Sequence, residues 1–186
     1  MSFLDKTVDF KILGYFFSFP LKEFFVKELS RKLKISSSSA SNICKQLKKE
    51  KLLSSKTHGN LLLYKLNRDN PQVLELGKIF LLKKLNKIGF VEKFLAEDHE
   101  IISLAIYGSF VQANNAEKSD LDLLVITASE KNFSLISDKL SSKLRVEVKP
   151  TAFKPIEWKK LAKNKDPFYL QVINAHLLLY GNKLVI

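Results

Sequence analysis

Two aspartates, Asp120 and Asp122, stand one residue apart at the start of the apolar run Leu121–Thr127. Because side chains two positions apart on a strand point to the same face, both carboxylates are expected to project together. Adjacent carboxylates repel each other, so it is costly to leave both ionised without a cation. Mg²⁺ removes that cost and commonly binds one or two carboxylates together with phosphate groups of a substrate. The spacing therefore predicts a magnesium site at this end of the strand, the alternative being a solvated strand end capped by Ser119.

A third acid, Glu147, lies between two valines in the segment Arg145–Lys149, which is predicted to be a strand. If this strand lies beside Leu121–Thr127, Glu147 joins the aspartates. Three carboxylates can hold two metal ions for an in-line displacement at phosphorus. The alternative is a surface-facing acid near Lys149.

The pair Gly108-Ser109 follows the apolar run Ile101–Tyr107, where a strand is predicted to turn into a short helix. A glycine there lets the backbone approach a phosphate closely. The serine hydroxyl and the N–H groups at the start of a helix can then bind it. Gly108 and Ser109 are therefore predicted to bind the phosphates of a nucleoside triphosphate.

The stretch GSFVQANNAEKSDLDLLV, residues 108–125, resembles the signature of the nucleotidyltransferase superfamily of the DNA polymerase β type. It is most similar to the small "minimal" nucleotidyltransferases, whose pattern is Gly-Ser, a spacer, Asp-x-Asp and a later third acid. The resemblance implies that Gly108 and Ser109 bind nucleotide phosphates. It also implies that Asp120, Asp122 and Glu147 are the catalytic residues and bind one or two Mg²⁺ ions. The implied substrate is an NTP, with ATP as the first expectation. One departure is Gln112-Ala113, where small members carry Arg-Gly, so a cation near the site is missing.

The charge of the chain is concentrated in its first half. Of 186 residues with a net charge of +12, residues 1–98 carry 19 Lys and Arg against 10 Asp and Glu. A basic half of this kind predicts a polyanionic partner, most simply DNA. The alternative is a lysine-rich surface that is only solvated.

The first half also has the spacing of a helix-turn-helix. A helix is predicted over Val8–Phe17, and two short helices follow, joined by a turn at Ser36–Ser39 and ending near Leu52-Leu53. Two β-compatible runs flank His58-Gly59-Asn60, which predicts a hairpin. Three helices and a hairpin in this order resemble a winged helix-turn-helix domain.

The second helix of that motif carries the candidate DNA contacts. Its buried face is predicted to hold Ala40, Ile43 and Leu47, with Cys44 also buried. Amide side chains can read adenine edges, and lysines can bind phosphate or guanine. The side chains left exposed are then Ser41, Asn42, Lys45, Gln46 and Lys49.

A long apolar-rich helix is predicted from Pro71 onward, with Gly89 as a place where it breaks. It is interpreted as a connector between two domains, and a homodimer formed through this helix is the alternative that the sequence leaves open. Its predicted buried stripe comprises Leu74, Phe80, Leu81, Leu85, Ile88, Val91 and Leu95.

Strands and helices then alternate to the end of the chain. The predicted fold class is α+β, with a winged helix-turn-helix domain over 1–70, a connecting helix over 71–97 and a small mixed-sheet nucleotidyltransferase-like α/β domain over 98–186.

Composition excludes several other classes. There is no apolar run long enough for a transmembrane helix and no secretory signal, so no membrane partner is expected. The single cysteine cannot form an internal disulfide and suits the cytoplasm.

The first hypothesis is a Mg²⁺-dependent nucleotidyltransferase that moves a nucleoside monophosphate onto a hydroxyl of a protein, nucleic acid or small molecule. The alternatives are a DNA-binding regulator whose second domain senses nucleotide or is catalytically degenerate, and an antitoxin-like role.

Overall fold

The computed structural model describes residues 7–59, 61–111 and 120–185. The chain divides into two compact units, Met1–Phe80 and Leu81–Ile186. Gln112-Ala113, the departure noted in the sequence, lies outside the described residues.

The first unit is a winged helix-turn-helix. Its elements, in chain order, are α1 (Val8–Ser18), β1 (Phe24–Phe25), α2 (Val26–Leu33), α3 (Ser37–Lys49), β2 (Leu53–His58), β3 (Leu61–Leu66) and the start of α4 (Pro71–Lys87). The three strands form an antiparallel sheet in the order β1-β3-β2. The predicted helices and hairpin are confirmed, and the two-residue β1 is an addition that the sequence did not predict.

Helix α3 begins inside the serine run because Ser36 caps it: the Ser36 hydroxyl accepts a hydrogen bond from the Ser39 N–H at 3.1 Å. Its buried side chains are Ala40, Cys44 and Leu47, while Ile43 is only partly buried. The prediction that Cys44 is buried is confirmed, and burial raises the pKa of its thiol to about 12.

The predicted end of this helix near Leu52-Leu53 was wrong. The helix ends at Lys49, and Lys51 takes a left-handed backbone conformation with φ 60°. The Leu52 N–H then bonds back to the Leu47 carbonyl at 2.9 Å, which closes the last turn. The chain therefore enters β2 with Leu52 and Leu53 buried in the core rather than on a helix.

The second unit contains a mixed four-stranded sheet. Its elements are the end of α4, then α5 (Phe90–Glu97), β4 (Ile101–Tyr107), a short 3₁₀ turn (Gly108–Phe110), β5 (Leu121–Thr127), α6 (Ser134–Leu144), β6 (Val148–Phe153), α7 (Pro155–Lys163), α8 (Pro167–Asn174) and β7 (His176–Gly181). The strand order is β6-β5-β4-β7, with β5 and β6 parallel and the other pairs antiparallel. The α+β fold class is thus confirmed.

Apolar side chains cover both faces of this sheet. On one face Leu123 and Val125 pack with α5 and α6. On the other face Leu124 and Ile126 pack with Trp158 of α7 and neighbouring side chains of α8. Strand β5 is buried on both sides, so its position and the direction of its side chains are strongly determined.

The predicted strand Arg145–Lys149 was displaced. Helix α6 runs to Leu144, and Arg145 ends it with a left-handed φ of 58°. The Val148 N–H then donates to the Ser141 hydroxyl at 2.8 Å, and β6 begins only at Val148. Glu147 consequently lies just before the strand.

The predicted long helix is two helices, α4 and α5, separated as expected at Gly89, whose φ is 62°. Of its predicted buried stripe only Leu85 is fully buried. The fully buried side chains missed by the periodicity are Val73, Phe90 and Phe94. The break at Gly89 rotates the register, so one helical stripe could not continue across it.

Candidate active site

One end of the mixed sheet gathers polar side chains from four strands. Strand register pairs Asp122 with Tyr107 on β4 and with Lys149 on β6, and Tyr107 pairs with His176 on β7. Paired residues on neighbouring strands project from the same face. Lys149, Asp122, Tyr107 and His176 therefore form a row across this end of the sheet, on the face that α7 and α8 cover farther along the strands.

Gly108 touches the carboxylate of Asp122. A Cβ atom built on Gly108 would lie 2.5 Å from Asp122 Oδ2, and the glycine has a φ of 74°. Both facts favour glycine, because a side chain would displace the Asp122 carboxylate and would strain the backbone. The Gly-Ser turn and the Asp-x-Asp strand thus form one local arrangement rather than two separate motifs. Ser109 follows Gly108 in the short 3₁₀ turn and is half-buried.

The two aspartates share a partly buried place at the start of β5. Burial, and next the charge of Asp120, raise the pKa of Asp122, while Lys149 opposes the shift. A raised pKa means that the ionised form of Asp122 is disfavoured where it lies. This is the electrostatic condition that a bound cation would relieve.

In the described structure the cation beside the aspartates is Lys149. Its Nζ lies 2.5 Å from Asp120 Oδ2 and 3.8 Å from Glu147 Oε2. The hydrogen bond and charge of Asp120, and then the charge of Glu147, raise the pKa of Lys149. The ammonium is therefore firmly protonated and shared by two carboxylates.

Glu147 reaches this neighbourhood through its backbone as well. Its carbonyl accepts a hydrogen bond from the Leu121 N–H at 2.7 Å, which places it beside the start of β5. Its side chain is 64% exposed. Within residues 7–59, 61–111 and 120–185, no three acidic, histidine or cysteine side chains are placed to hold a metal ion together. The structure thus brings Asp120 and Asp122 together and sets Lys149 between them and the predicted third ligand.

The predicted DNA-contacting side chains occupy one side of α3. Asn42, Lys45, Gln46 and Lys49 are exposed and Ser41 is half-buried. Gln46 also donates a hydrogen bond to Glu50 at 3.1 Å.

Ser41 and Lys45 line a groove of about 860 Å³ that also involves α2 and β3. Its walls carry Lys27, Arg31, Lys32 and Lys45 against the single acid Glu28. Sequence reasoning missed the cations of α2 and the exposed wing residues Leu61 and Leu62, which are 53% and 40% exposed. The run of basic residues from 22 to 34 carried the signal for the α2 cations, but only the folded unit shows which of them share a groove with α3.

Lys149 was also not assigned a role by sequence reasoning. The signal was present in the alternation that singled out Glu147, because the residue two positions after it shares its face once a strand forms. The pairing of Asp122 with Lys149, rather than with the predicted third acid, became visible only with the register of β5 and β6.

A mixed sheet with a Gly-Ser turn against an Asp-x-Asp strand is the arrangement expected of a nucleotidyltransferase-type domain. Residues 90–184 match the protein family described as Polymerase beta, Nucleotidyltransferase. This match covers more than half of the chain, and the chain belongs to that family. No curated protein sequence matches the chain.

Several solved structures are similar to parts of the chain. A toxin-antitoxin crystal structure with AMP-PNP is 20% identical, with a TM-score of 0.41, and the similarity covers 53% of this chain and 76% of that one. HlyU from Vibrio cholerae is 21% identical, with a TM-score of 0.34, over 41% of this chain and 78% of that one. A possible transcriptional regulator from Methanosarcina mazei is 20% identical, with a TM-score of 0.33, over 48% and 79%.

None of the helices in the described parts of the chain has both the length and the apolar character needed to cross a membrane.

Proposed function

We propose that this protein is a Mg²⁺-dependent nucleotidyltransferase that uses an NTP, ATP first, and that its winged helix-turn-helix unit binds DNA. The observation that carries the enzymatic part is the packing of Gly108 against Asp122. A glycine whose Cβ position would fall 2.5 Å from a carboxylate oxygen keeps that oxygen and the turn's backbone within reach of one ligand. A metal-bound triphosphate is a ligand that uses both.

The reaction is a displacement at the α-phosphorus of the triphosphate. An acceptor hydroxyl oxygen forms the new P–O bond, and the bond from the α-phosphorus to the bridging oxygen breaks as pyrophosphate leaves. The hydroxyl proton passes to a base, for which the carboxylates of the site are available. The acceptor is a hydroxyl of a protein, a nucleic acid or a small molecule.

The donor set fits a hard divalent ion. Asp120 and Asp122 share one face of β5, and burial and then the charge of Asp120 raise the pKa of Asp122, which supports a cation beside it. Mg²⁺, when bound by these two residues, supplies the positive charge that neutralises the phosphate oxygens. Glu147, just before β6, is the proposed third carboxylate. Gly108 and Ser109 position the triphosphate beside the metal ligands.

A transfer assay tests this proposal. The protein is incubated with Mg²⁺ and each α-labelled NTP, and label is sought on the protein itself, on RNA and on candidate partner proteins. The double variant Asp120→Asn, Asp122→Asn should lower transfer by roughly a thousandfold or more, because several kcal/mol of transition-state stabilisation are lost. The matched control is Glu130→Gln with Asp138→Asn, which removes the same charge from exposed positions outside the site.

The DNA-binding part rests on the cations around α3. Lys45 and Lys49 are exposed, and Lys45 shares its groove with three cations of α2. Binding of the phosphate backbone releases counterions, so affinity should fall steeply with salt. Lys45→Ala with Lys49→Ala should weaken DNA binding and leave nucleotide transfer unchanged. Lys159→Ala with Lys160→Ala, two exposed lysines of α7, is the control of equal charge.

A second candidate function is a DNA-binding regulator whose second unit binds nucleotide without transferring it. The observation favouring it is the ion pair between Lys149 and Asp120, because the ammonium contacts a carboxylate oxygen that a metal ion would need as a ligand. Wild-type protein that binds both NTP and DNA but transfers no label to any acceptor would favour the regulator. Loss of DNA binding in the double Asn variant would show in addition that the nucleotide acts as an effector.

A further inference from the structure

The register of the sheet positions Lys149 beside the two aspartates. The parallel pairing of β5 and β6 sets Lys149 opposite Asp122, so its side chain leaves the sheet on the face of the two aspartates. From there its Nζ reaches Asp120 Oδ2 at 2.5 Å and Glu147 Oε2 at 3.8 Å. The ammonium thus uses oxygens of two of the three proposed metal ligands.

A divalent ion and this ammonium need the same oxygens. Mg²⁺ and Mn²⁺ bind carboxylate oxygens directly, and an ammonium that already contacts such an oxygen both occupies the position of the metal and repels it. The lysine side chain is 49% exposed, so it can leave for solvent, but the metal must first break its contacts. Removal of the ammonium would also leave Asp120, Asp122 and Glu147 with more uncompensated negative charge, which favours a divalent cation.

We propose that Lys149 is an internal cation that competes with free divalent metal for Asp120 and Glu147. The inference rests on the proposed metal-dependent function and deepens it, because it assigns to Lys149 control over when metal enters the site. In the absence of nucleotide the site resists free metal. Lys149 is a positioning residue in this scheme, since it acts through the two carboxylates.

The chain contains a matched ion pair for comparison. Lys154, at the end of β6, lies 2.6 Å from Glu130 Oε1 and is 41% exposed. The two pairs are similar in N–O distance and in the exposure of the lysine, but Glu130 is 82% exposed against 35% for Asp120 and belongs to no proposed metal site. Changing either lysine removes one positive charge from the same strand region, so a difference between them reports local competition rather than net charge.

The experiment measures Mn²⁺ binding to the nucleotide-free protein at fixed pH, from the electron paramagnetic resonance signal of free Mn²⁺. Lys149→Met should bind Mn²⁺ up to about fivefold more tightly than wild type, the upper scale of one removed, partly exposed ion pair. Lys149→Gln should do the same, and Lys149→Arg should stay near wild type. Lys154→Met should stay within about twofold of wild type.

Equal or weaker Mn²⁺ binding by Lys149→Met and Lys149→Gln would overturn the proposal, as would equal tightening by Lys154→Met. In the Lys149→Met background, Asp120→Asn should abolish the gain, and a gain that survives would place the metal elsewhere. Urea unfolding of each variant confirms that it is folded. These outcomes do not depend on transfer activity: an inactive protein with the expected Mn²⁺ series would refute the enzyme and retain the competition.

Discussion

Strand β5 has a carboxylate site at each of its ends, and the two sites differ in how their charge is satisfied. At its last residue, the Thr127 hydroxyl donates to Asp98 Oδ2 at 2.6 Å, and the Ser129 hydroxyl donates to the same oxygen at 2.6 Å. The Glu100 N–H donates to Asp98 Oδ1 at 2.9 Å. At the other end, Asp120 and Asp122 face each other's charge and one lysine.

The pKa values of the two sites move in opposite directions. Burial alone would raise the pKa of Asp98, which is 3% exposed, but hydrogen bonds from Ser129, Thr127 and Glu100 outweigh it and lower that pKa. The pKa of Asp122 is raised, by burial and then by Asp120. Burial acts in the same direction on both, so the difference comes from what the surroundings donate.

Asp98 is an acid that completes the fold, whereas the surroundings of Asp122 suit a ligand. Asp98 has donors from the chain itself for both of its oxygens and joins the end of α5 to the end of β5. Asp122 is held against Gly108 and beside a second acid, an arrangement that costs folding energy unless a cation relieves it. Acid content alone does not distinguish the two sites, whereas the source of their counter-charges does.

Removing the Asp98 carboxylate should have the largest effect on stability. Asp98→Ala leaves the buried hydroxyl of Thr127 and two further donors without an acceptor, which should lower the free energy of unfolding by about 3 kcal/mol. Urea unfolding measures this loss. Asp138→Ala, at an exposed position of α6, is the control and should change stability little. A loss below that of the control would mean that Asp98 is not a structural acid.

Gly108→Ala should have the next largest effect. Its new Cβ would meet Asp122 Oδ2, and its left-handed φ adds strain, so we expect a loss of about 2 kcal/mol in unfolding free energy and weaker nucleotide binding. Gly59→Ala is the matched control, because Gly59 has a similar φ of 58° and, its chain neighbours aside, no atom of the described residues lies within 4 Å of the added carbon. Equal losses in both variants would show that only the backbone matters and that Asp122 yields freely.

The sequence singled out the aspartates at the start of β5 but not the acid at its end. Gly108, Asp120 and Asp122 are close in the chain, and their types and spacing already indicate a phosphate turn and a metal-binding strand. Asp98 was not singled out, because its partners Thr127 and Ser129 lie 29 and 31 positions away and only the folding of β5 brings them near. Long-range hydrogen bonds leave no periodic signal in a sequence.

The predicted strand around Glu147 was displaced for a local reason, and the role of Glu147 as a metal ligand stays a prediction. The alternation of Glu147 with valines is typical of a strand. Arg145 instead ends α6, so the strand β6 begins one residue after Glu147. The register with β5 then sets Lys149 opposite Asp122. The helices and the hairpin of the first unit were predictable because their caps, apolar faces and turn glycine are contiguous in the chain.

Acidification should remove the contribution of Asp98 to stability only in strong acid. Because the folded-state pKa of Asp98 lies below the ordinary value of 3.8, its stabilisation is present above pH 3.8 and is lost as pH falls through the folded value. The gap in unfolding free energy between wild type and Asp98→Asn should therefore be constant near neutral pH and close in strong acid. Urea unfolding across pH 7 to 3 measures it. A gap that widens on acidification would contradict the hydrogen-bonded carboxylate.

The smallest effect, and the one of opposite sign, is expected for Asp122→Asn. The raised pKa of Asp122 means that its ionisation opposes folding: the penalty is absent below the ordinary value of 3.8, grows as pH rises toward the folded-state value and is complete above it. At pH 7 without metal, the variant should therefore be more stable than wild type, by a few tenths of a kcal/mol for a like-charge contact in partial solvent. Excess Mg²⁺ should reverse the order, because it stabilises only the protein that binds it. Urea unfolding with EDTA and with Mg²⁺ measures both signs. If Asp122→Asn instead destabilises the metal-free protein, Asp122 is a structural acid like Asp98, and the contrast between the two ends of β5 does not hold.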